Sequence, residues 1–120
     1  MQKTVMIVDD SASLRQVVSI ALRGGGYDVI EAGDGQQGLD NLDGRKINLI
    51  ISDVNMPRMD GLTMLQKIRD MPNYKFTPII MLTTESGRDK KEMGRSSGAK
   101  AWMVKPFKPD QMLDAVSKLI

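Results

Sequence analysis

Four short stretches hold the residues able to do chemistry: Asp9-Asp10, Asp53 with Asn55 two positions on, Thr83-Thr84-Glu85, and Lys105-Pro106. Each follows an apolar run of strand length. Taken singly, each has an ordinary use. Asp9-Asp10 serve as turn and helix-capping residues, Asp53 as the start of an Asx-turn, Thr83 as a capping hydroxyl, and Lys105-Pro106 as a solvated turn. Taken together they are far more specific. If the first and third runs are neighbouring strands, three carboxylates meet at one strand end with a lysine and a hydroxyl beside them. Carboxylates held that close repel and raise one another's pKa values. A divalent cation relieves the repulsion, and an all-oxygen donor set that leaves several waters in place suits Mg²⁺. A cation beside a nucleophilic carboxylate, a lysine and a hydroxyl donor makes a phosphoryl-transfer site. The absence of cysteine removes disulfides, thiolate chemistry and Cys-ligated zinc, and the absence of histidine removes imidazole as base, ligand or phosphoryl carrier.

For those residues to meet, the runs ahead of them must lie side by side. Thr4–Val8, Asp28–Ala32, 49–52, 78–83 and Ala101–Val104 have strand length and alternate with five helix-like segments. The first, third and fourth are apolar almost throughout, as strands covered on both faces should be. Leu14, Val17, Val18, Ala21 and Leu22 make one helical face, with Ser11 or Ser13 as cap and Gly24-Gly25-Gly26 as stop. Leu62, Met64, Leu65 and Ile68 mark another helix; Met112, Leu113, Val116 and Leu119 mark the last. The stretch 85–98 is the weakest helix, with Gly87, Gly94 and Gly98 and only Met93 as a large apolar residue, and is expected to be marginal and mobile. Strict βα alternation predicts a doubly wound α/β fold with a parallel sheet, whose ligands bind at the carboxyl ends of the strands.

A chain of 120 residues, 41% of them hydrophobic, has the size and apolar content of one domain, expected over residues 1–120. No apolar run approaches the roughly 18–20 residues of a membrane span, and the start reads as a strand without a signal peptide. A soluble, cytoplasmic protein is expected. The net charge of +2 is uneven: residues 86–110 carry +4 and the remainder −2. That predicts a two-faced domain with one basic region, not a uniformly basic nucleic-acid binder. The ten methionines are read as core filler.

In Val8-Asp9-Asp10-Ser11, Ser52-Asp53-Val54-Asn55-Met56-Pro57, Met59-Asp60-Gly61, Leu82-Thr83-Thr84-Glu85 and Val104-Lys105-Pro106-Phe107 the sequence resembles a response-regulator receiver domain, of the stand-alone CheY-like chemotaxis type. The resemblance spans the whole chain. It implies a five-stranded (βα)5 flavodoxin-like fold of strand order 2-1-3-4-5, with no output domain. It implies that Asp53 is the phosphoacceptor, attacking a phosphohistidine on a CheA-like histidine kinase. Asp10 would ligate Mg²⁺ directly, together with Asp53 and the backbone carbonyl of Asn55, while Asp9 reaches the metal mainly through water. Lys105 would neutralise phosphoryl oxygens, Thr83 would hydrogen-bond one of them, and the Lys105-Pro106 peptide would be cis. Asn55 and Glu85 would tune the hydrolysis that resets the switch. Trp102 stands where many relatives place a Tyr or Phe that turns inward on activation, and this departure leaves the direction of the indole open. The output face would be residues 86–97, Ala101–Val104 and Pro109–Leu119, binding a target such as a flagellar motor switch protein. The expected protein is a monomeric signalling switch that catalyses only its own phosphorylation and dephosphorylation, without membrane or nucleic-acid partners.

Rival readings stand on fewer residues. A phosphorelay shuttle would use the same site. An aspartyl-phosphate phosphohydrolase of haloacid-dehalogenase type would use Asp53-Val54-Asn55, but Asn55 replaces the second carboxylate such an enzyme needs. A receiver that binds partners without phosphorylation would leave its filled catalytic positions unused. Gly33-Asp34-Gly35-Gln36-Gln37-Gly38 matches a dinucleotide fingerprint yet follows the second run, not the first, and reads as turn and cap. No Gly-Lys-Ser/Thr follows Gly24–Gly26, so it is no P-loop. A calcium loop starting at Asp53 fails because Pro57, Arg58 and Met64 stand where a ligand, Gly and Glu are needed.

Overall fold

A computed structural model describes residues 2–56, 58–83 and 98–120. The strands are β1 (Thr4–Val8), β2 (Asp28–Ala32), β3 (Leu49–Asp53), β4 (Ile79–Thr83) and β5 (Ala101–Val104). The helices are α1 (Ala12–Gly24), α2 (Gly35–Asp40), α3 (Gly61–Arg69) and, at the C-terminal end, α4 (Pro109–Leu119). The strands form one parallel sheet in the order β2-β1-β3-β4-β5. This is the expected doubly wound arrangement. The weak helix expected over 85–98 lies, apart from Gly98, outside the described residues. No helix among the described residues is long and apolar enough to cross a membrane.

The central strands are buried because apolar residues occupy both of their faces. Along β1, Met6 and Val8 join a cluster with Ile50, Met64, Leu65, Ile68 and Met81. The alternating Val5 and Ile7 join Ile51, Ile80, Leu82, Val18, Leu22, Met112 and Val116. One core thus lies against α3 and the other against α1 and α4. Met6, Met64, Met81 and Met112 are fully buried, as filler methionines should be. β3 runs one residue further than expected, through Asp53, and β4 starts at Ile79 instead of Pro78. Proline has no N–H for the ladder, although its carbonyl still accepts from Ile50 N–H at 3.0 Å.

Two details correct the pattern reading. Val17, expected on the buried face of α1, is 50% exposed, because the helix lies on the sheet along the i, i+4 row Leu14–Val18–Leu22. The stretch read as turn and cap after β2 is in part a helix. Asp34 caps it by accepting from Gln37 N–H at 2.8 Å, and Gly35 and Gly38 lie within it. Gly38 has a reason to be glycine: a Cβ there would sit 2.9 Å from the Met64 sulfur.

At the end of the sheet remote from the Asp cluster, Arg69 ties two segments together. Its Nη1 donates to the carbonyls of Lys75 (3.1 Å) and Thr77 (2.8 Å), and its Nη2 to that of Gly98 (2.9 Å). The loop before β4 and Gly98, three residues ahead of β5, therefore share one guanidinium. Tyr74 secures the same end, its buried hydroxyl donating to the Arg45 carbonyl and accepting from Gly44 N–H.

Between β3 and α3 the chain turns through Arg58, at φ 68°. This left-handed conformation costs a non-glycine residue about 1–2 kcal/mol, while glycine's greater unfolded-state entropy costs about 0.5–1 kcal/mol. Arg58→Gly is expected to stabilise the fold by up to about 1 kcal/mol. The check is a higher denaturant midpoint at unchanged slope; a lower midpoint would contradict the assignment of strain to this residue.

Candidate functional site

The strand order changes direction between β1 and β3, the place where open α/β sheets bind ligands. Val8 pairs with Ser52 across these strands, so the residues that follow, Asp9 and Asp53, lie next to each other at the strand ends. Asp10 follows in the turn into α1. Oxygen atoms of Asp9, Asp10 and Asp53 all lie within 4.8 Å of one another, the first and last residues buried and Asp10 exposed. The three carboxylates singled out from the sequence are therefore one cluster.

Asp9 is held at every polar atom. Its N–H donates to the Ala32 carbonyl (3.1 Å), and its carbonyl accepts from Arg15 Nη1 (2.5 Å). One carboxylate oxygen accepts from Ser11 N–H and the other from Lys105 Nζ, both at 2.9 Å. Lys105 reaches in from the end of β5 and lies 3.4 Å from Asp53 Oδ1 as well, so one ammonium bridges both buried carboxylates. The Lys105-Pro106 peptide is cis, as expected.

Asp53 is positioned by its backbone. Ser52 Oγ donates to its carbonyl at 3.0 Å, and Val54 N–H donates to Leu82 O at 2.9 Å, locking β3 to β4. At the start of α3, Gly61 donates its N–H to Val54 O at 2.8 Å, and a Cβ at Gly61 would overlap the Asp53 carbonyl oxygen. Asp60 caps this helix by accepting from Thr63 N–H at 2.7 Å. Only a residue without a side chain lets α3 approach so close.

Thr83 is buried at the end of β4, one residue past the Leu82 that pairs with Asp53, and its carbonyl accepts from Lys105 N–H at 2.7 Å. Asn55 is exposed, and its backbone N–H bonds the Asp53 carboxylate. Trp102 pairs with Met81, while Thr83 pairs with Val104, so Trp102 and Thr83 lie on the same side of the sheet. The indole is partly buried against the α3-side core, its Nε1 enclosed without a hydrogen-bond partner among the described residues. Thr84 and Glu85 lie outside the described residues. Arg15, Ser52 and Gly61 shape the site without having been assigned a role from sequence. The Asp60-Gly61 pair did carry a signal, a capping residue followed by glycine where no flexibility is needed.

Burial, and then the Asp9 carboxylate, hold the pKa of Asp53 above the ordinary carboxylate value, with Lys105 pulling the other way. Burial alone would lower the pKa of Lys105, but its hydrogen bond and attraction to Asp9, followed by Asp53, outweigh it and raise the value. Because the folded-state pKa of Asp53 is raised, ionising this group costs stability as pH climbs from 3.8 through the folded value. In metal-free protein, Asp53→Asn is therefore expected to raise the melting temperature at pH 7. The advantage should vanish below pH 3.8, where the carboxyl is protonated in both states. Melts in EDTA across this range check the prediction, and a pH-independent difference would contradict it.

The sequence pattern of the response regulator receiver domain matches residues 5–117. The structure of CheY4 of Vibrio cholerae, a chemotaxis response regulator, superposes with a TM-score of 0.95 at 43% identity, covering 100% of both chains. Chemotaxis protein CheY1 of Helicobacter pylori is 34% identical over 118 residues, 97% of this chain and 95% of its own. The transcriptional regulatory protein PdtaR of Mycobacterium tuberculosis is 37% identical over 115 residues, 95% of this chain and 55% of its own, so this chain spans about half of that relative. Strand order, the placement of the acidic cluster at the switch point and a sequence match over nearly the whole chain converge on one conclusion: this chain belongs to the response-regulator receiver family and is a CheY-like receiver domain of a two-component system.

Proposed function

We propose that Asp53 accepts a phosphoryl group from a phosphohistidine of a partner kinase, with Mg²⁺ bound at Asp9, Asp10 and Asp53. The observation that carries this reading is the Lys105 ammonium bridging Asp9 and Asp53 inside the three-carboxylate cluster. Three carboxylate oxygen donors, one residue of them exposed, fit a hard cation that keeps part of its water shell. The exposed Asp10 and Asp53 would be direct ligands; Asp9, already bonded at both oxygens, would act through water; Asn55 would offer its backbone carbonyl. Once bound, the ion supplies positive charge and alignment for the phosphoryl oxygens.

In the transfer, an Asp53 carboxylate oxygen forms the new bond to phosphorus as the phosphorus–nitrogen bond of the donor breaks. The electron pair stays on the imidazole nitrogen, which takes up a proton. Lys105 neutralises phosphoryl oxygens, and Thr83 donates its hydroxyl to one of them. The resulting acyl phosphate is labile, and water attack restores Asp53, with Asn55 and Glu85 setting the rate. Movement of Thr83 toward the phosphoryl group alters the space on the side of the sheet that it shares with Trp102, which couples modification to the β5–α4 face. That face is assigned as the output surface; residues 86–97, also assigned to it from sequence, lie outside the described residues. The names of two relatives, CheY4 and CheY1, support a chemotaxis role; on that reading the donor would be a CheA-like kinase and the target of motor-switch type, in the cytoplasm.

Intact-mass measurement after incubation with a small phosphodonor is expected to show a Mg²⁺-dependent, base-labile gain of one phosphoryl group. Asp53→Ala should show none. Equal uptake by the variant would sink the assignment of Asp53. Trp102 is the sole tryptophan, so its emission should change when a phosphoryl mimic and Mg²⁺ bind. Unchanged emission, with binding established separately, would exclude Trp102 from the switch.

A further inference from the structure

We infer that Arg15 is a positioning residue for the cation site: it holds the peptide joining Asp9 to Asp10, so that the two carboxylates converge with Asp53. The inference rests on the cation reading above. Arg15 lies on α1, six residues past Asp9, and its Nη1 donates to the Asp9 carbonyl at 2.5 Å. That carbonyl belongs to the same planar unit as the Asp10 N–H, so fixing its direction fixes the plane from which Asp10 departs. Asp9 has three further anchors, in Ala32, Ser11 and Lys105. The Asp10 side chain is exposed and has no hydrogen bond or ion pair among the described residues. Its aim therefore depends on the backbone, and Arg15 is what grips that backbone.

The charge on Arg15 would work against a neighbouring cation, but it is directed elsewhere. Arg15 Nε lies 3.4 Å from Glu31 Oε1 on β2, the two side chains 20% and 37% exposed. The contact is an ion pair without hydrogen-bond geometry, since Nε is enclosed with no hydrogen-bond partner among the described residues. Glu31 thus balances the charge, while the directional bond goes to the Asp9 carbonyl. Arg15 makes no ion pair with the Asp9, Asp10 or Asp53 carboxylates among the described residues, so it does not compete with a metal for them.

This arrangement gives a test whose sign separates positioning from electrostatics. Removing a cation near a cation site should, on charge alone, tighten metal binding. Loss of positioning should weaken it, by about tenfold for an outer partner of a ligand. Mn²⁺ serves as the probe, with free Mn²⁺ read by electron paramagnetic resonance against the wild type, Arg15→Ala and Arg15→Lys. The expected result is weaker binding by Arg15→Ala and substantial recovery by Arg15→Lys, which again places a cationic donor near the carbonyl. Equal or tighter binding by Arg15→Ala overturns the inference. If that variant fails to fold in metal-free melts, Arg15→Met, which keeps the apolar stem, is judged by the same criterion. A wild type that takes up no Mn²⁺ overturns the cation reading and the inference with it, whereas a wild type that binds normally confines any failure to Arg15.

Discussion

Three carboxylates brought within 4.8 Å at the end of a largely apolar sheet repel one another, and two of them are withdrawn from water. The fold holds them there because their surroundings supply donors at matched positions. Lys105 spans the two buried groups, Ser11 N–H meets Asp9, and Asn55 N–H meets Asp53. The raised pKa of Asp53 shows that these donors leave a residual penalty on its ionised form. A site with such a residue of unfavourable charge has affinity for more positive charge. On the function proposed above, that residual penalty is what a bound cation would relieve.

Holding that imbalance requires a scaffold that does not relax. β1 and β3 supply it by being apolar on both faces, so that a shift on one side disturbs the packing on the other. The loops then refine the placement. Gly61 brings the first turn of α3 against the carbonyl of Asp53, Ser52 holds that carbonyl from within the sheet, and Arg15 grips the carbonyl of Asp9. The acidic side chains are aimed largely through their own backbones. Donors then settle on the side-chain oxygens of Asp9 and Asp53, while the exposed Asp10 carboxylate has no such partner among the described residues.

The architecture was legible because βα alternation and doubly apolar strands leave few ways to arrange the chain. Membership of the acidic cluster was legible too, since Asp9, Asp10, Asp53 and Lys105 all follow strands and a parallel sheet gathers such positions at one end. What sequence did not disclose depends on orientation and distance. Val17 and Val18 are chemically alike, yet only packing decides that Val18 is buried and Val17 half exposed. The helical character of Gly35–Asp40 was masked by two glycines of low propensity, kept because Met64 and Met59 pack too close for a side chain. Arg15 is indistinguishable in sequence from the exposed Arg23 on the same helix, because its role lies in a single carbonyl reached across a turn.

Arg69 has a mechanical consequence. By gripping the carbonyls of Lys75, Thr77 and Gly98, it ties the segments leading into β4 and β5 to each other at the end remote from the carboxylates. The pair is tied at the other end too, where Lys105 N–H donates to the Thr83 carbonyl. A displacement of Thr83 is then passed to Lys105 through that bond, and sliding one strand along the other would have to break the ties at both ends. Trp102, on the second residue of β5, stands between the two ties, four residues past Gly98 and three before Lys105.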